Sequence, residues 1–291
     1  MTRHENDRIS PTALYTGHVW YRNGLSHPVL ATGMGRALFA GQWVIDRVAS
    51  LRGSPSFESI ILDRHHLIDR VLHRAVETGQ IGQVVEIGAG LSFRGVRFAR
   101  KFPELTYVEG DLPQMSARKR AQLEKAGLVA SNHEILALDA LAEDGDASFG
   151  SVARKHLEPE VGTAIITEGL LNYFDPDAVS AMWDRFLELL RSHPAGLYLA
   201  DLFLARQVDR LPGGRVSKHA IKLVSRGAVY LPFEDPDDYE AGVQAAGFDR
   251  CEVRGVGMPS DDRKREAAVL GIVEAWTDGE GMSDDARRGR Q

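Results

Sequence analysis

The chain contains 291 residues, of which 43% are hydrophobic and 26% are charged, a balance typical of a soluble globular protein and not of a disordered or fibrous one. Its formal net charge of -6 argues against nucleic acid as the main partner, because phosphate binding normally needs a basic surface. A single cysteine, Cys251, excludes an internal disulfide framework. The polar start MTRHENDRIS and the lack of an apolar run of about 18 residues predict a cytoplasmic protein without a membrane partner.

Apolar runs alternate with amphipathic segments along the chain, which is typical of an α/β protein whose parallel sheet carries helices on both faces. The runs predicted as strands are 83–88, 106–111, 133–139, 163–169, 196–203, 249–255 and 267–276. The helices predicted with the clearest starts are 113–126, 176–192 and 236–247. Each begins at a proline, which is favoured in a first helical turn, and Asp175 and Asp235 precede the last two as N-cap candidates.

The other segments are predicted to surround this sheet. Residues 1–80 have helical patterning, clearest at 61–76, and are expected to form an N-terminal cap or lid. The sheet domain is expected to span 81–278, with an insertion near 204–233 that adds to the cap. The polar segment 279–291 is expected to be a disordered tail.

The first predicted strand runs into the stretch VVEIGAGLSFRG, where Glu86 is followed by Gly88 and Gly90. In an open α/β sheet the turn after the first strand lines the ligand crevice, and glycines let the backbone approach a ligand closely. A nicotinamide dinucleotide would need a small residue where Phe93 stands. Its pyrophosphate would also be repelled by the nearby carboxylate. The turn therefore favours a cationic ligand.

The E-x-G-x-G pattern resembles the motif with which methyltransferases bind the sulfonium cofactor S-adenosylmethionine (SAM). We therefore assign Glu86, Gly88 and Gly90 to a candidate cofactor site. Asp111, at the end of the second strand, stands where an acid would accept the ribose hydroxyls. A tight structural turn without a ligand is the alternative, because short motifs recur by chance.

Three stretches narrow this resemblance: VVEIGAGLSFR, YVEGDLPQMSARKRAQL and TEGLLNYFDPDAV. In that order they resemble the leucine carboxyl methyltransferase family, also represented by bacterial polyketide carboxyl O-methyltransferases. The E-G-D-L-P motif followed by Lys119 is the most specific part. The resemblance implies a Rossmann-like class I SAM-dependent methyltransferase fold with a seven-stranded, mostly parallel sheet. It also implies SAM as cofactor and S-adenosylhomocysteine as its product.

The resemblance further implies roles for single residues. Gly88 would contact the methionine part, Asp111 the ribose, and Asp139 and Ala140 the adenine. Glu168 would bind the methionine ammonium group.

Arg64, on the helix before the first strand, is the implied partner of the cofactor carboxylate. A guanidinium suits this role because it can bind a carboxylate through two nitrogens. A solvated helix arginine is the alternative. The sequence departs from the family pattern at Ser92 and Phe93, where a threonine-rich stretch is usual, and at Gly110, where an aliphatic residue is preferred.

The histidines do not predict a metal site. His65 and His66 are neighbours in sequence, so on a helix they point about 100° apart and cannot share an ion as an i, i+4 pair can. We expect one of them to be packed, the other to be solvated, and no metal to be required.

Aromatic and donor groups are dense near the N-terminus. Tyr15, His18 and Arg22 fall on one helical face, and with Tyr21 they are predicted to contact the acceptor as part of a lid. Tyr173 is predicted to form a pocket wall. The alternative is a helix that simply packs on the sheet.

The insertion carries an excess of basic side chains: Arg206, Arg210, Arg215, Lys218, His219, Lys222 and Arg226. This excess would attract an acidic substrate, although a solvated helix face is the alternative. His18 and His219 are the candidate catalytic bases, should a base be needed.

The leading hypothesis is a SAM-dependent O-methyltransferase that methylates a carboxylate of a small molecule, such as a polyketide-like secondary metabolite. The alternatives are methylation of a phenol or hydroxyl, methylation of a protein's C-terminal carboxylate, and a SAM-binding protein that does not transfer methyl. The expected partner is the small acceptor. The oligomeric state stays open, with a homodimer among the options.

Overall fold

The computed structural model describes residues 11–50, 56–206, 229–256 and 270–278, without the side chains of residues 45 and 48–50. Within these residues the α-helices are α1 (Pro11–Arg22), α2 (Gly33–Ser50), α3 (Phe57–Glu77), α4 (Arg94–Lys101), α5 (Pro113–Lys125), α6 (Phe149–His156), α7 (Pro176–Arg191) and α8 (Pro236–Ala246). Short 3-10 helices span Pro28–Leu30 and Leu171–Tyr173.

The strands form one sheet. They are β1 (Gln83–Ile87), β2 (Thr106–Asp111), β3 (His133–Ala137), β4 (Thr163–Thr167), β5 (Ala195–Phe203), β6 (Arg250–Val256) and β7 (Leu270–Asp278). The strand order of this seven-stranded sheet is β3-β2-β1-β4-β5-β7-β6. Strands β1 to β5 are parallel, whereas β7 is antiparallel to both β5 and β6. The predicted seven-stranded, mostly parallel sheet is confirmed.

Helix starts follow the local chemistry of the sequence. Helices α5, α7 and α8 begin at the predicted prolines, Pro113, Pro176 and Pro236. A carboxylate oxygen of Asp175 accepts the Ala178 amide at 2.9 Å, and one of Asp235 accepts the Asp238 amide at 3.0 Å. These bonds satisfy first-turn amides that have no partner within the helix, so both predicted N-caps are confirmed.

Helices pack on both faces of the sheet, as predicted. On one face α3 and α4 contribute buried side chains such as Ile68 and Phe98. On the other face α6, α7 and α8 contribute a larger core that includes Phe149, Phe186 and Tyr239. The sheet is therefore covered on both sides, and its strand ends are left to form a ligand site.

The helix α1 lies directly on the turn after β1. A Cβ built on Gly90 would lie 3.5 Å from the Cβ of Ala13, and one built on Gly17 would lie 2.9 Å from the Cβ of Leu91. A Cβ built on Gly35 of α2 would lie 2.3 Å from a backbone oxygen of α1, so α2 packs closely against α1. The N-terminal helices thus cover the site from one side.

Parts of the predicted architecture lie outside the described residues: most of the insertion, with His219 and every basic residue named there except Arg206, and the tail 279–291. Among the described helices, none is both long and apolar enough to cross a membrane.

Candidate cofactor site

The predicted cofactor residues lie at one edge of the sheet. Gly88 and Gly90 follow β1, Asp111 ends β2, Asp139 follows β3 and Glu168 follows β4. Because these strands are parallel and adjacent, their carboxyl ends meet at the same edge. The strand order changes direction beside β1, which is where open α/β sheets bind ligands.

The turn after β1 depends on its glycines. Gly88 has φ +70° and Gly90 has φ +51°, in the left-handed region that favours glycine. A Cβ on Gly88 would also lie 3.0 Å from a methyl group of Leu170. The carboxylate of Asp111 accepts hydrogen bonds from the backbone amides of Gly90 and Leu112, both at 2.7 Å. Burial raises the pKa of Asp111 and these two amides oppose the rise.

The segment after β3 holds its acid in a tight turn. An oxygen of Asp139 accepts the Leu141 amide at 3.0 Å, and the Ala140 carbonyl accepts a hydrogen bond from Arg185 at 3.0 Å. Nearby, a Cβ built on Gly110 would lie 2.6 Å from the Cβ of Leu138. The departure from the family pattern at position 110 therefore coincides with a close contact between β2 and the end of β3.

Arg64 and Glu168, expected at opposite ends of the methionine, are bonded to each other. The Nε of Arg64 donates to Oε1 of Glu168 at 2.9 Å, and its Nη1 donates to Asp201 at 3.0 Å. Asp201 also accepts the backbone amide of Gly169 at 2.5 Å. Among the described residues, Nη2 of Arg64 has no hydrogen-bond partner, so it is the nitrogen left for a ligand carboxylate.

Sequence reasoning missed Arg94, which is completely buried in the first turn of α4. Its guanidinium binds three carboxylates: Nε donates to Asp69 at 2.6 Å, Nη1 to Glu86 at 2.6 Å and Nη2 to Glu168 at 2.5 Å. The second oxygen of Glu86 accepts the hydroxyl of Tyr107 at 2.7 Å. Glu86 was predicted to face a cationic ligand, and here both of its oxygens bind neighbouring side chains. An acid in a buried strand needs a cation, and that requirement was the available signal for Arg94.

We call these side chains the arginine network: Arg64, His65, Asp69, Glu86, Arg94, Arg97, Glu168 and Asp201. Burial alone would raise the pKa of Glu168, but its electrostatic interaction and hydrogen bond with His65, together with the charges of Arg94 and Arg64, hold that pKa well below its usual range. Glu168 is therefore ionised at neutral pH. With three donors on its carboxylate, it retains a lone pair for one more donor.

His65 is fixed in the neutral state within this network. Burial and the adjacent Arg94 lower its pKa. Its Nδ1 lies 2.9 Å from Oε2 of Glu168, and its Nε2 lies 2.9 Å from Nη2 of Arg97. Nδ1 also lies 2.8 Å from Nη2 of Arg94. A neutral ring has one acceptor nitrogen and cannot accept from both guanidinium groups. The tautomer with the proton on Nδ1 is the one that donates to Glu168 and accepts from Arg97. The packed His65 and the exposed His66 confirm the expectation that one of the pair is buried and the other solvated.

This arrangement predicts a pH dependence of stability. In the unfolded chain His65 takes up a proton near pH 6.5, whereas in the folded chain it does so only at lower pH. The unfolded state then binds more protons, so the free energy of unfolding falls as pH drops below about 6.5, by at most about 1.4 kcal/mol per pH unit. Denaturant titrations between about pH 7 and 5 should show a shallower decline for His65→Gln than for the control His66→Gln. If the free energy of unfolding fell equally with pH in the two variants, the lowered pKa of His65 would be contradicted.

A second buried ion pair supports β2. Glu109 pairs with Lys119, and its Oε1 lies 3.3 Å from Nε2 of His133. Burial opposes ionisation, but Lys119 and His133 together keep the pKa of Glu109 below its usual range. A Cβ on Gly95 would lie 2.2 Å from the carboxylate of Glu109, so glycine is needed there. Lys119, which follows the E-G-D-L-P motif, thus pairs with Glu109, the first residue of that motif.

The predicted acceptor residues of α1 separate into two environments. Tyr15 is buried, with its ring centroid 5.5 Å from that of Phe57. His18, Tyr21 and Arg22 instead line a shared groove between α1 and α2.

Tyr173 lies elsewhere, at the end of the short helix after β4. Its hydroxyl is hydrogen bonded to Oγ1 of Thr12 at 2.6 Å, which joins α1 to the segment that carries Glu168. No group of three or more histidine, cysteine or acidic side chains that could hold a metal occurs in the described part of the chain.

Comparison with known families identifies the chain. Residues 31–186 match the model of the family described as leucine carboxyl methyltransferase. The chain belongs to the leucine carboxyl methyltransferase family. This match contains the glycine turn, Asp111, Glu168 and the whole arginine network except Asp201.

Two bacterial relatives carry the provisional name S-adenosyl-L-methionine-dependent methyltransferase. The protein from Mycolicibacterium gilvum is 34% identical over 113 residues, which cover 38% of this chain and 35% of the relative. The protein from Frankia alni is 32% identical over 156 residues, which cover 52% of this chain and 53% of the relative. The leucine carboxyl methyltransferase homologue described here thus spans about half or less of the length of these curated relatives.

Solved structures show the fold. A structure from Thermobifida fusca, provisionally named a methyltransferase, aligns with a TM-score of 0.60 at 15% identity and covers 93% of this chain and 96% of that one. A DUF574-family protein from Streptomyces avermitilis aligns with a TM-score of 0.59 at 13% identity, covering 91% and 97%. The predicted class I methyltransferase fold is confirmed for this family member.

Proposed function

We propose that this protein is a SAM-dependent O-methyltransferase that methylates a carboxylate of a small-molecule acceptor. The observation that carries the proposal is the convergence of the glycine turn, Asp111, Arg64 and Glu168 at one edge of the sheet, in a chain of the leucine carboxyl methyltransferase family. The net charge of -6 favours a small acceptor over nucleic acid.

The residues at this edge fit the cofactor. Nη2 of Arg64 is available for the methionine carboxylate, and the ionised Glu168 has a lone pair for the ammonium group. Asp111 can accept the ribose hydroxyls while it holds the glycine turn, and Asp139 and Ala140 border the adenine position. When bound, SAM supplies an already activated methyl group and leaves as S-adenosylhomocysteine. The protein's task is then to align the acceptor and exclude water, for which α1 lies across the turn.

A carboxylate acceptor needs no general base, because it is ionised near neutral pH. One observation favours methylation of a phenol as the second candidate. His18 is buried and its pKa is lowered by burial and by Arg22 and Arg36, so it is neutral at pH 7 and able to accept a proton. His219 lies outside the described residues and stays a candidate base.

Single-turnover rates against pH separate these candidates. For a carboxylate acceptor we expect a rate that is flat from about pH 6 to 9, and His18→Gln should leave that profile unchanged. A rate that rises through the pKa of a histidine and becomes flat in His18→Gln would assign the protein to phenol methylation. The control is Tyr15→Phe, which keeps the packing of α1 and adds no titratable group.

Cofactor binding is tested in the same preparation. Calorimetry should detect SAM binding, and SAM should raise the thermal midpoint because it binds the native state. Binding without transfer to any acid or phenol would assign the chain to the SAM-binding proteins that do not methylate. Absence of binding would contradict the proposal as a whole.

A further inference from the structure

The groove between α1 and α2 has the size of a small-molecule site. Its volume is about 590 Å³, within the roughly 300 to 1,000 Å³ of typical ligand pockets. The side chains that line it are His18, Tyr21, Arg22, Arg36, Phe39, Ala40 and Trp43. The sequence had pointed to the three residues of α1, whereas the four residues of α2 form the opposite wall.

The walls of the groove are aromatic. Phe39 is buried and its ring centroid lies 5.3 Å from that of His18, while Trp43 and Tyr21 are 49% and 38% exposed. Large apolar side chains exposed around one groove mark a binding surface more often than single scattered ones do. Aromatic faces bind flat apolar groups by offset stacking, so the shape favours a planar ligand.

The groove is also cationic. It contains Arg22 and Arg36, and none of its lining residues is acidic. Arg22 lies 3.5 Å from Glu58 and over the ring of Phe39, so its charge is partly compensated. Arg36 is exposed and forms no ion pair with any residue that the structure describes. One guanidinium is thus left to bind an anion.

His18 adds a buried polar atom without a partner. The side chain is only 9% exposed, and its Nδ1 forms no hydrogen bond with the described residues. Buried polar groups are normally paired, so an unpaired one in a cavity points to a ligand or a bound water. A neutral imidazole next to an arginine suits a ligand that combines an acid with a second oxygen.

We propose that the α1–α2 groove binds a planar aromatic carboxylate, with its ring against the exposed Trp43 and Tyr21 and its carboxylate at Arg36. Since Ala13 and Gly17 of α1 contact the turn after β1 and His18 lines the groove, the two sites share one helix. The use of this ligand as the methyl acceptor rests on the proposed function, whereas its binding does not.

The test is calorimetry with 2-naphthoate on the full chain. We expect Arg36→Gln to weaken binding about ten- to a hundredfold, the range for a lost charge-assisted hydrogen bond, and Trp43→Ala to weaken it as well. Both side chains are exposed, so both variants should fold. The uncharged 2-naphthamide should bind weakly and equally to wild type and Arg36→Gln. Arg70→Gln, on the exposed side of α3, is the matched control and should bind 2-naphthoate as wild type does.

Three results would overturn the proposal: no binding of 2-naphthoate, equal affinity in wild type and Arg36→Gln, or decanoate bound as tightly as 2-naphthoate. A dimer that dissociates in Trp43→Ala would also overturn it, because a second copy would then occupy the groove. Binding of 2-naphthoate without SAM binding would refute the proposed function and leave the groove intact. SAM-dependent methylation of an acid by a protein that does not bind 2-naphthoate would support the proposed function and refute the groove proposal.

Discussion

Replacing Arg94 with methionine is expected to lower the free energy of unfolding by about 3 to 5 kcal/mol, the range for breaking a buried ion pair. The guanidinium is completely buried and donates to Asp69, Glu86 and Glu168. Methionine fills a similar volume but leaves three carboxylates without their shared cation. Urea denaturation at pH 7, followed by circular dichroism, measures the loss.

Two variants control for size and charge. Arg97→Met removes a partly exposed guanidinium that binds Asp69 at 2.6 Å, and it should cost roughly 1 kcal/mol because solvent replaces the interaction. Arg94→Lys keeps the charge but cannot bind three carboxylates at once, so its stability should fall between wild type and Arg94→Met. A similar loss of unfolding free energy in Arg94→Met and Arg97→Met would show that Arg94 does not stabilise the fold more than Arg97 does.

The largest effect on ligand binding is expected from Glu168→Gln. If Glu168 binds the methionine ammonium, the substitution should weaken SAM and S-adenosylhomocysteine alike, by about 1.5 to 3 kcal/mol, because both carry that group. The dissociation constant should rise roughly 10- to 150-fold in calorimetric titrations at pH 7. Glu104→Gln, at an exposed position, is the matched control.

A ligand without the amino-acid part separates direct contact from a general disturbance of the site. 5′-Methylthioadenosine lacks the ammonium group, so its affinity should be the same in wild type and in Glu168→Gln. If its affinity falls as much as that of SAM, Glu168 acts by maintaining the arginine network and not by binding the cofactor.

Features determined by local sequence were predictable. A proline preceded by aspartate specifies a helix start within a few residues, and α7 and α8 begin where that pattern stands. The strand β2 likewise has the predicted bounds, Thr106–Asp111. The order of the strands was not predictable, because the insertion of β7 between β5 and β6 depends on pairings between distant segments.

The candidate site shows the same division. Gly88, Gly90 and Asp111 could be placed from motifs, because each lies at a strand end that the sequence marks. The partners of Glu86 could not, because Arg94 and Tyr107 approach it from a helix and a neighbouring strand. Only one wall of the groove could be predicted, from the pattern of residues on α1. Arg36 and Trp43 belong to α2, and the contact between α2 and α1 depends on the close approach at Gly35.

Because Gly110 and Leu138 are in close contact, substitutions at these two positions depend on each other. The space that an aliphatic side chain would occupy at position 110 is filled here by leucine from the end of β3. A lineage that gains an aliphatic residue at 110 must therefore accept a smaller one at 138, since packed interiors do not hold both volumes. The pair should covary among homologues, glycine with leucine and aliphatic with small. Each position precedes a candidate cofactor acid, Asp111 or Asp139, so this exchange can proceed while both acids are retained.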